Sequence, residues 1–183
     1  MKTALVFGSS GLIGGHLLNQ LINDINYNKI KIFVRSEPEN NNPKVEIIKT
    51  DFNNLENHKE DIKGDDCFFC IGTTKQNSPD KNEYRRVELD VPKEIAQIAK
   101  SNSVNSFVFV SSGYADPKSS GDYLKFKGEV EEELKRLNFS KLGIMRPSFL
   151  LGDRKEKRVG EKIGIFVFKL LSPLFLGPLK KMK

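Results

Sequence analysis

The 183-residue chain is 38% hydrophobic and 30% charged, which suits a single globular domain large enough to bury one core without disulfide bonds. Its formal net charge is +6, but nine basic and two acidic residues lie between positions 154 and 183, so residues 1–153 sum to −1. This distribution excludes a body built for nucleic-acid binding. The basic end is either a solvated, lysine-rich segment or a source of one or two phosphate ligands.

The first predicted unit is a strand, a tight turn and a helix. Residues 4–7 are apolar and suit a buried parallel strand, and leucine and isoleucine then recur at helical spacing over residues 12–22. Gly8 would permit the sharp turn, Gly11 would let the backbone approach a pyrophosphate, and Gly14 would let the helix pack closely on its strand. Free N–H groups at the helix start can bind phosphate oxygens. A plain glycine turn is the alternative.

A second strand is predicted over residues 29–35 and leads into Arg35 and Ser36. In dinucleotide-binding folds an acidic side chain at this point binds the adenosine ribose 2′-hydroxyl, whereas an arginine suits a 2′-phosphate. Because the first acid after the strand is Glu37, the sequence favours NADP(H) over NAD(H). An ordinary exposed arginine at a strand end is the alternative.

Two further strands are predicted over residues 45–50 and 67–71. Asp51 follows the third strand, where the adenine ring would lie, but it could equally cap the helix that follows, which is expected to be weak and short. Gly72 and Thr73 follow the fourth strand and offer backbone and hydroxyl groups to the crevice where cofactors bind in such sheets.

The two cysteines, Cys67 and Cys70, are three residues apart on the fourth predicted strand. They would therefore point to opposite faces of the sheet, and no second Cys/His pair is present to complete a zinc site. We interpret them as buried thiols in a reducing compartment and expect no metal site. The apolar run near the amino end is broken by Gly8 and lacks a cleavage site, so we expect a cytoplasmic protein and not a secreted one.

The second half of the chain alternates helices with strands. A helix is predicted from about residue 83 to residue 100, and Pro92 predicts a kink or a late start near Val91. A strand over residues 106–112, a charged helix from 123 to about 137 and a strand over 142–145 follow. Together these elements predict an α/β fold in which helices cover both faces of a doubly wound parallel sheet, a Rossmann fold with three α/β/α layers.

Three side chains around the fifth strand and the next helix form a set that can move a proton alongside a hydride. Tyr123 and Lys127 are four residues apart and would share one helix face. Tyr123 would act as general acid/base. Because a free tyrosine has a pKa of about 10, the positive charge of Lys127 would be needed to stabilise the tyrosinate. Lys127 would also hold the nicotinamide ribose. Ser112 would hydrogen-bond a carbonyl oxygen. A Tyr/Lys pair that only packs on a helix face is the alternative.

With these features in order, the chain resembles the short-chain dehydrogenase/reductase superfamily, and more closely its atypical Tat-interacting-protein-like branch. The resemblance covers residues 3 to about 160, with FCIGTT at 69–74, FKGEVE at 126–131 and RPSFLL at 146–151. It implies an NADP(H)-dependent oxidoreductase that reduces a small carbonyl substrate. The residues it assigns to the cofactor are Ser10, Gly11, Leu12, Ile13, Arg35, Ser36, Ile71, Gly72, Tyr123, Lys127, Leu150 and Arg158.

The resemblance also leaves two other functions open. The branch has members that are better described as NADP(H)-binding regulators, so a non-catalytic regulatory or interaction protein is the first alternative. A nucleotide-sugar epimerase or dehydratase is the second, although few residues follow Pro147 to bind a sugar nucleotide.

Relatives in this branch usually continue further, so we expect residues 1–183 to be one domain whose substrate-side segment, residues 148–183, is truncated. Residues 163–176 are apolar, but they are too few to span a bilayer and are interrupted by Lys169 and Pro173. We expect a helix that buries one face, against the sheet, a substrate, another copy of the chain or a protein partner.

Overall fold

The centre of the computed structural model, which describes residues 1–38 and 40–147, is a parallel sheet of six strands. The strands are β1 Lys2–Phe7, β2 Tyr27–Val34, β3 Val45–Lys49, β4 Asp66–Phe69, β5 Ser106–Val110 and β6 Lys141–Met145. Their order across the sheet is β3-β2-β1-β4-β5-β6, and every neighbouring pair is parallel. This is the strand order of a doubly wound dinucleotide-binding sheet, and it confirms the predicted fold class.

The helices are α1 Leu12–Asn23, α2 Lys81–Arg85, α3 Val91–Ser101 and α4 Asp122–Leu137. A five-residue π-helical segment, Arg86–Asp90, joins α2 to α3, and α3 begins at Val91, which confirms the late start predicted there as the alternative to a kink. Pro92 lies at the start of α3, where its missing N–H is tolerated. The weak helix predicted after β3 is a single 3₁₀ turn, Leu55–His58.

The central strand β1 divides the core into two layers. Leu5 and Phe7 point to the face that α3 and α4 cover, whereas Ala4 and Val6 point to the face that α1 covers. All four side chains are fully buried. This alternation is the period-two pattern of a strand that is buried on both sides, and it gives the three-layer arrangement.

A row of four phenylalanines crosses the sheet at the carboxyl ends of the strands, each at the last or the next-to-last position of its strand. Phe33, Phe7, Phe69 and Phe109 lie in register on β2, β1, β4 and β5. Their ring centroids are 4.2, 6.1 and 5.9 Å apart along the row, and each ring is at most 1% exposed. This phenylalanine row forms a closely packed apolar layer beneath the loops that follow these strands.

The glycine turn after β1 is fixed by two close contacts. Gly8 has a φ of +89°, and a Cβ there would lie 2.8 Å from both the carbonyl carbon of Cys70 and the nitrogen of Ile71. A Cβ on Gly14 would lie 2.1 Å from the carbonyl oxygen of Gly8. Both glycines are therefore required by packing within the protein itself, as the sequence predicts for the turn and the helix.

A buried carboxylate on α4 holds the carboxyl ends of β5 and β6 together. Glu131, which is 2% exposed, accepts a hydrogen bond from the Ser111 hydroxyl at 2.5 Å and one from Nε of Arg146 at 2.9 Å. Arg146 also pairs with the second carboxylate oxygen through Nη2. Burial alone would raise the pKa of Glu131, but these hydrogen bonds and the Arg146 charge outweigh it and lower the pKa.

Three other expectations concern this part of the chain. Cys67 and Cys70 are free thiols; burial raises the pKa of Cys67 well above its ordinary value and that of Cys70 to about 11. Among the described residues, no helix is long and apolar enough to cross a membrane. The predicted segments 148–183 and 163–176 lie outside the described residues.

We predict that Gly14→Ala destabilises the protein by about 2–3 kcal/mol, because the new methyl group would force α1 away from the Gly8 carbonyl. Gly15→Ala is the matched control, since its Cβ would meet Ser9 only at 3.4 Å and alanine favours a helix. Urea unfolding followed by circular dichroism measures both changes. Equal stabilities for the two variants would contradict the packing role of Gly14.

We predict that Glu131→Gln lowers the free energy of unfolding by about 2 kcal/mol at pH 7, and that this deficit shrinks below about pH 4.5. A carboxyl group whose pKa is lowered on folding stabilises the folded state above its unfolded pKa and loses that effect as it protonates. Urea unfolding at pH 7, 5 and 3.5 measures the deficit. The exposed neighbour Glu132 provides the control variant Glu132→Gln, and a deficit independent of pH would count against the ion pair.

Candidate cofactor and active site

The loops after β1 and β4 meet at one point of the sheet edge. β1 lies between β2 and β4, so the chain leaves it in one direction to complete β2 and β3 and in the other to complete β4, β5 and β6. Gly8 touches the backbone of Cys70 and Ile71 here. Ligands of doubly wound sheets bind in the crevice that such a switch in strand order opens.

The start of α1 is suited to a phosphate group. Ser10 and Gly11 are exposed, Leu12 and Ile13 are half-buried, and the first turn of the helix contains no acidic residue. Gly11 occupies the N-cap position and has no side chain with which to cap the helix. A Cβ on Gly11 would meet only the Gly8 carbonyl, at 3.4 Å, so unlike at Gly8 and Gly14 the protein itself leaves space there. This open, positive helix end fits a pyrophosphate.

Arg35 and Ser36 follow the last residue of β2 and are both exposed. No ion pair engages Arg35 within residues 1–38 and 40–147. The guanidinium is therefore available to an anion at the carboxyl end of β2, the strand next to the edge strand β3.

The loop after β3 carries Asp51 and Phe52. Asp51 is exposed and accepts hydrogen bonds from the backbone and side-chain nitrogens of Asn53, which lower its pKa, so it stabilises a local turn and does not cap the 3₁₀ turn. Phe52 has a φ of +64°, unusual for a bulky residue, and its ring packs against Phe7. Its carbonyl accepts a hydrogen bond from Arg86 at 2.6 Å. This clamp holds the loop in a strained conformation beside the crevice.

Tyr123 and Lys127 lie on the first two turns of α4, as predicted. Tyr123 is 38% exposed, whereas Lys127 is 3% exposed. The Lys127 ammonium lies 5.9 Å from the centroid of the Tyr123 ring and 4.9 Å from that of Phe109, the last ring of the phenylalanine row. It donates a hydrogen bond to the carbonyl of Val110 at the end of β5, at 3.4 Å. The pair is thus held at the same edge of the sheet as the glycine turn.

The two serines after β5 differ in their contacts. Ser111 is 3% exposed and donates its hydroxyl to Glu131, so it has a structural partner. Ser112 is half-buried, and its hydroxyl makes no hydrogen bond within the described part of the chain. Of the two, Ser112 is therefore the one whose hydroxyl is available to a substrate.

The loop that leads from Ser112 to α4 crosses that helix closely. A Cβ on Gly128 would lie 2.2 Å from the nitrogen of Pro117, so a glycine is required at this position. The N–H of Asp116 also donates to the carbonyl of Leu124 at 3.1 Å. These contacts place the loop over the turn of α4 that presents Tyr123.

Glu88 is a buried acid of the site that the sequence analysis did not single out. It lies in the π-helical segment, is 0% exposed, and contacts both Lys127 and the loop after β4. Its position in the sequence could have identified it. Glu88 lies four residues before Pro92 and seven before Ile95, so it shares the buried face of the helix, where an acid requires a partner.

Thr73, Gly72 and Ile71 follow β4 at the crevice. Ile71 and Thr73 are half-buried and Gly72 is exposed. The Thr73 hydroxyl oxygen lies 3.1 Å from the Ser78 hydroxyl oxygen. The backbone N–H of Thr73 donates to the Glu88 carboxylate at 2.5 Å. Two predicted cofactor ligands, Leu150 and Arg158, lie outside the described residues.

Comparison with known proteins agrees with this geometry. A family model described as NAD(P)H-binding matches residues 8–164. Protein HTATIP2 of Rattus norvegicus is 34% identical over 166 residues, which are 87% of this chain and 67% of that protein. The mitochondrial protein FMP52 of Candida glabrata is 32% identical over 168 residues, 91% of this chain and 71% of the relative.

Solved structures share the fold at low sequence identity. The Bordetella bronchiseptica enzyme WbmH in complex with NAD⁺ superimposes with a TM-score of 0.74 at 17% identity, over 94% of this chain and 63% of that one. Citrobacter sp. triphenylmethane reductase complexed with NADP(H) gives 0.63 at 16% identity, over 81% and 50%. The chain thus spans between half and two thirds of these structures. The family model and the relatives show that this chain belongs to the NAD(P)H-binding family together with the HTATIP2 and FMP52 proteins, and the solved structures share its fold.

Proposed function

We propose that this protein is an NADP(H)-dependent oxidoreductase that reduces a small carbonyl substrate. The observation that carries the proposal is the buried ammonium of Lys127, 5.9 Å from the ring of Tyr123 at the carboxyl edge of a dinucleotide-binding sheet. A lysine that only solvates a helix face would be exposed. A buried cation beside a half-exposed phenol is the arrangement that makes tyrosine a usable proton donor near neutral pH.

The residues present fit an extended dinucleotide along the carboxyl edge of the sheet. The open start of α1, with Ser10, Gly11, Leu12 and Ile13, would hold the pyrophosphate. Arg35, Ser36 and Asp51 would line the adenosine end, and Ile71, Gly72, Thr73, Tyr123 and Lys127 the nicotinamide end. Leu150 and Arg158 remain expectations from the family resemblance.

The chain's own residues would handle the proton. A bound reduced nicotinamide would supply the hydride to the carbonyl carbon. Tyr123 would donate its hydroxyl proton to the carbonyl oxygen, so that the substrate becomes an alcohol and Tyr123 a tyrosinate that is later reprotonated from solvent. Lys127 would stabilise that tyrosinate, and Ser112 would donate a hydrogen bond to the substrate oxygen and orient it.

The preference for NADP(H) rests on Arg35, which stands where an NAD-binding protein of this fold carries an acid. Its exposed guanidinium can bind a 2′-phosphate, a contact that NAD(H) does not offer. We keep a cytoplasmic location as a prediction, although the fungal FMP52 relatives are named as mitochondrial proteins.

We predict that Arg35→Asp weakens NADPH binding at least about tenfold and changes NADH binding less than about threefold, because only NADPH carries the 2′-phosphate. Titration with each nucleotide, followed by the fluorescence of the reduced nicotinamide, measures both dissociation constants. Lys141→Asp is a matched charge reversal at the amino end of β6, the opposite edge of the sheet, and should change neither. Equal effects of Arg35→Asp on the binding of both nucleotides would contradict the assignment of Arg35 to the 2′-phosphate.

We predict that Tyr123→Phe lowers the rate of NADPH-dependent reduction of carbonyl compounds at least about a hundredfold, because the proton donor is lost, while NADPH binding persists. A panel of small aldehydes and ketones, assayed by NADPH absorbance, measures turnover, and fluorescence titration measures binding. Tyr114→Phe is a suitable control, because Tyr114 is an exposed tyrosine of the neighbouring loop. Equal inactivity of the wild type and Tyr123→Phe would favour the alternative function, a non-catalytic NADP(H)-binding regulator.

A further inference from the structure

The carboxylate of Glu88 bridges two parts of the site that come from distant segments of the chain. Its Oε2 lies 3.0 Å from the ammonium nitrogen of Lys127 on α4, and its Oε1 accepts the N–H of Thr73 at 2.5 Å. Thr73 belongs to the loop after β4, which faces the crevice. One side chain therefore sets the distance between that loop and the lysine.

Burial makes this bridge decisive for Lys127. Glu88 is fully buried and Lys127 is 3% exposed, so water cannot compensate either charge. The other neighbours of the ammonium are the Val110 carbonyl at 3.4 Å and the rings of Phe109 and Tyr123, none of which carries a full charge. Glu88 is thus the anionic partner of Lys127 among the residues that the structure describes.

The Oε2 atom of Glu88 can accept a further hydrogen bond. The Glu88 Oε2 atom is within ion-pair distance of Lys127, but its angle is not that of a hydrogen bond, and no other donor in the described ranges reaches it. A buried ion pair of this kind adds little to stability over an apolar pair, whereas it can fix the direction in which each group points. Its effect on the site is therefore expected in geometry more than in stability.

We propose that Glu88 is a positioning residue that holds the Lys127 ammonium and the Thr73 loop in the arrangement that receives the nicotinamide side of the cofactor. The inference rests on the proposed NADP(H) function, because the positioned groups are those assigned to the cofactor. Glu88 itself need not touch the cofactor. It acts through Lys127 on one side and through Thr73 on the other.

Two substitutions at this position separate the two contacts. Glu88→Gln keeps an oxygen that can accept the Thr73 N–H but removes the charge that holds Lys127. Glu88→Ala removes both. We expect the dissociation constant for NADPH, measured by fluorescence titration, to rise about tenfold in Glu88→Gln and further in Glu88→Ala.

A double-mutant cycle with Lys127→Met tests whether the effect passes through Lys127. If it does, Glu88→Gln weakens NADPH binding in the wild type and changes it less than about twofold in the Lys127→Met background. The double variant also removes both buried charges, which avoids an uncompensated ion in the core. Additive losses of affinity in the cycle would overturn the proposal.

Glu131→Gln is the matched control, because Glu131 is a similarly buried acid whose carboxylate pairs with Arg146 and Ser111 and not with Lys127 or the loop after β4. It should lose stability in urea yet bind NADPH as the wild type does. Should Glu88→Gln not fold, Glu88→Asp keeps the charge on a shorter side chain and is expected to lose affinity several-fold.

The outcomes separate the two proposals. Wild-type affinity for NADPH in Glu88→Gln or Glu88→Asp would overturn the positioning role while leaving the NADP(H) function intact. A wild-type protein that binds neither NADPH nor NADH would overturn both.

Discussion

The site depends on the close approach of three backbone segments at Gly8. The turn after β1, the start of α1 and the loop after β4 meet there at distances that admit no Cβ on Gly8 or Gly14. The phenylalanine row lies directly below and fixes the strands that carry these segments. Open space at the helix start, beside Gly11, is what remains once those contacts are made.

Two ion pairs, each with a buried carboxylate, then position α4 against the π-helical segment and the end of β6. Lys127 pairs with Glu88 near the amino end of the helix, and Glu131 pairs with Arg146 one turn further on. Apolar packing of Val130 and Leu134 supplies the attraction between helix and sheet, but it tolerates small rotations of the helix. The charges reduce that freedom, because the buried Lys127, Glu88 and Glu131 side chains each require a partner at contact distance in surroundings that water does not reach.

The apolar pattern was sufficient to predict a doubly wound parallel sheet, because each strand is a short apolar run between turn residues. Strand ends were less predictable. β4 ends at Phe69 and β5 at Val110, although the N–H of Cys70 still donates to Phe7 and that of Ser111 to Met145, so one ladder hydrogen bond extends beyond each strand. Glu88 was missed for a related reason: an acid in a helix is ordinarily solvated, and its partner is far away along the chain.

The strand order also has a consequence for synthesis on the ribosome. β1 is made before the other strands of the sheet, yet it lies in the middle, paired with β2 on one edge and with β4 on the other. Until Asp66–Phe69 leaves the exit tunnel, the second edge of β1 presents unpaired N–H and C=O groups to any other strand. That edge of β1 is therefore open to incorrect strand pairing during translation, and β4 is the segment whose emergence closes it.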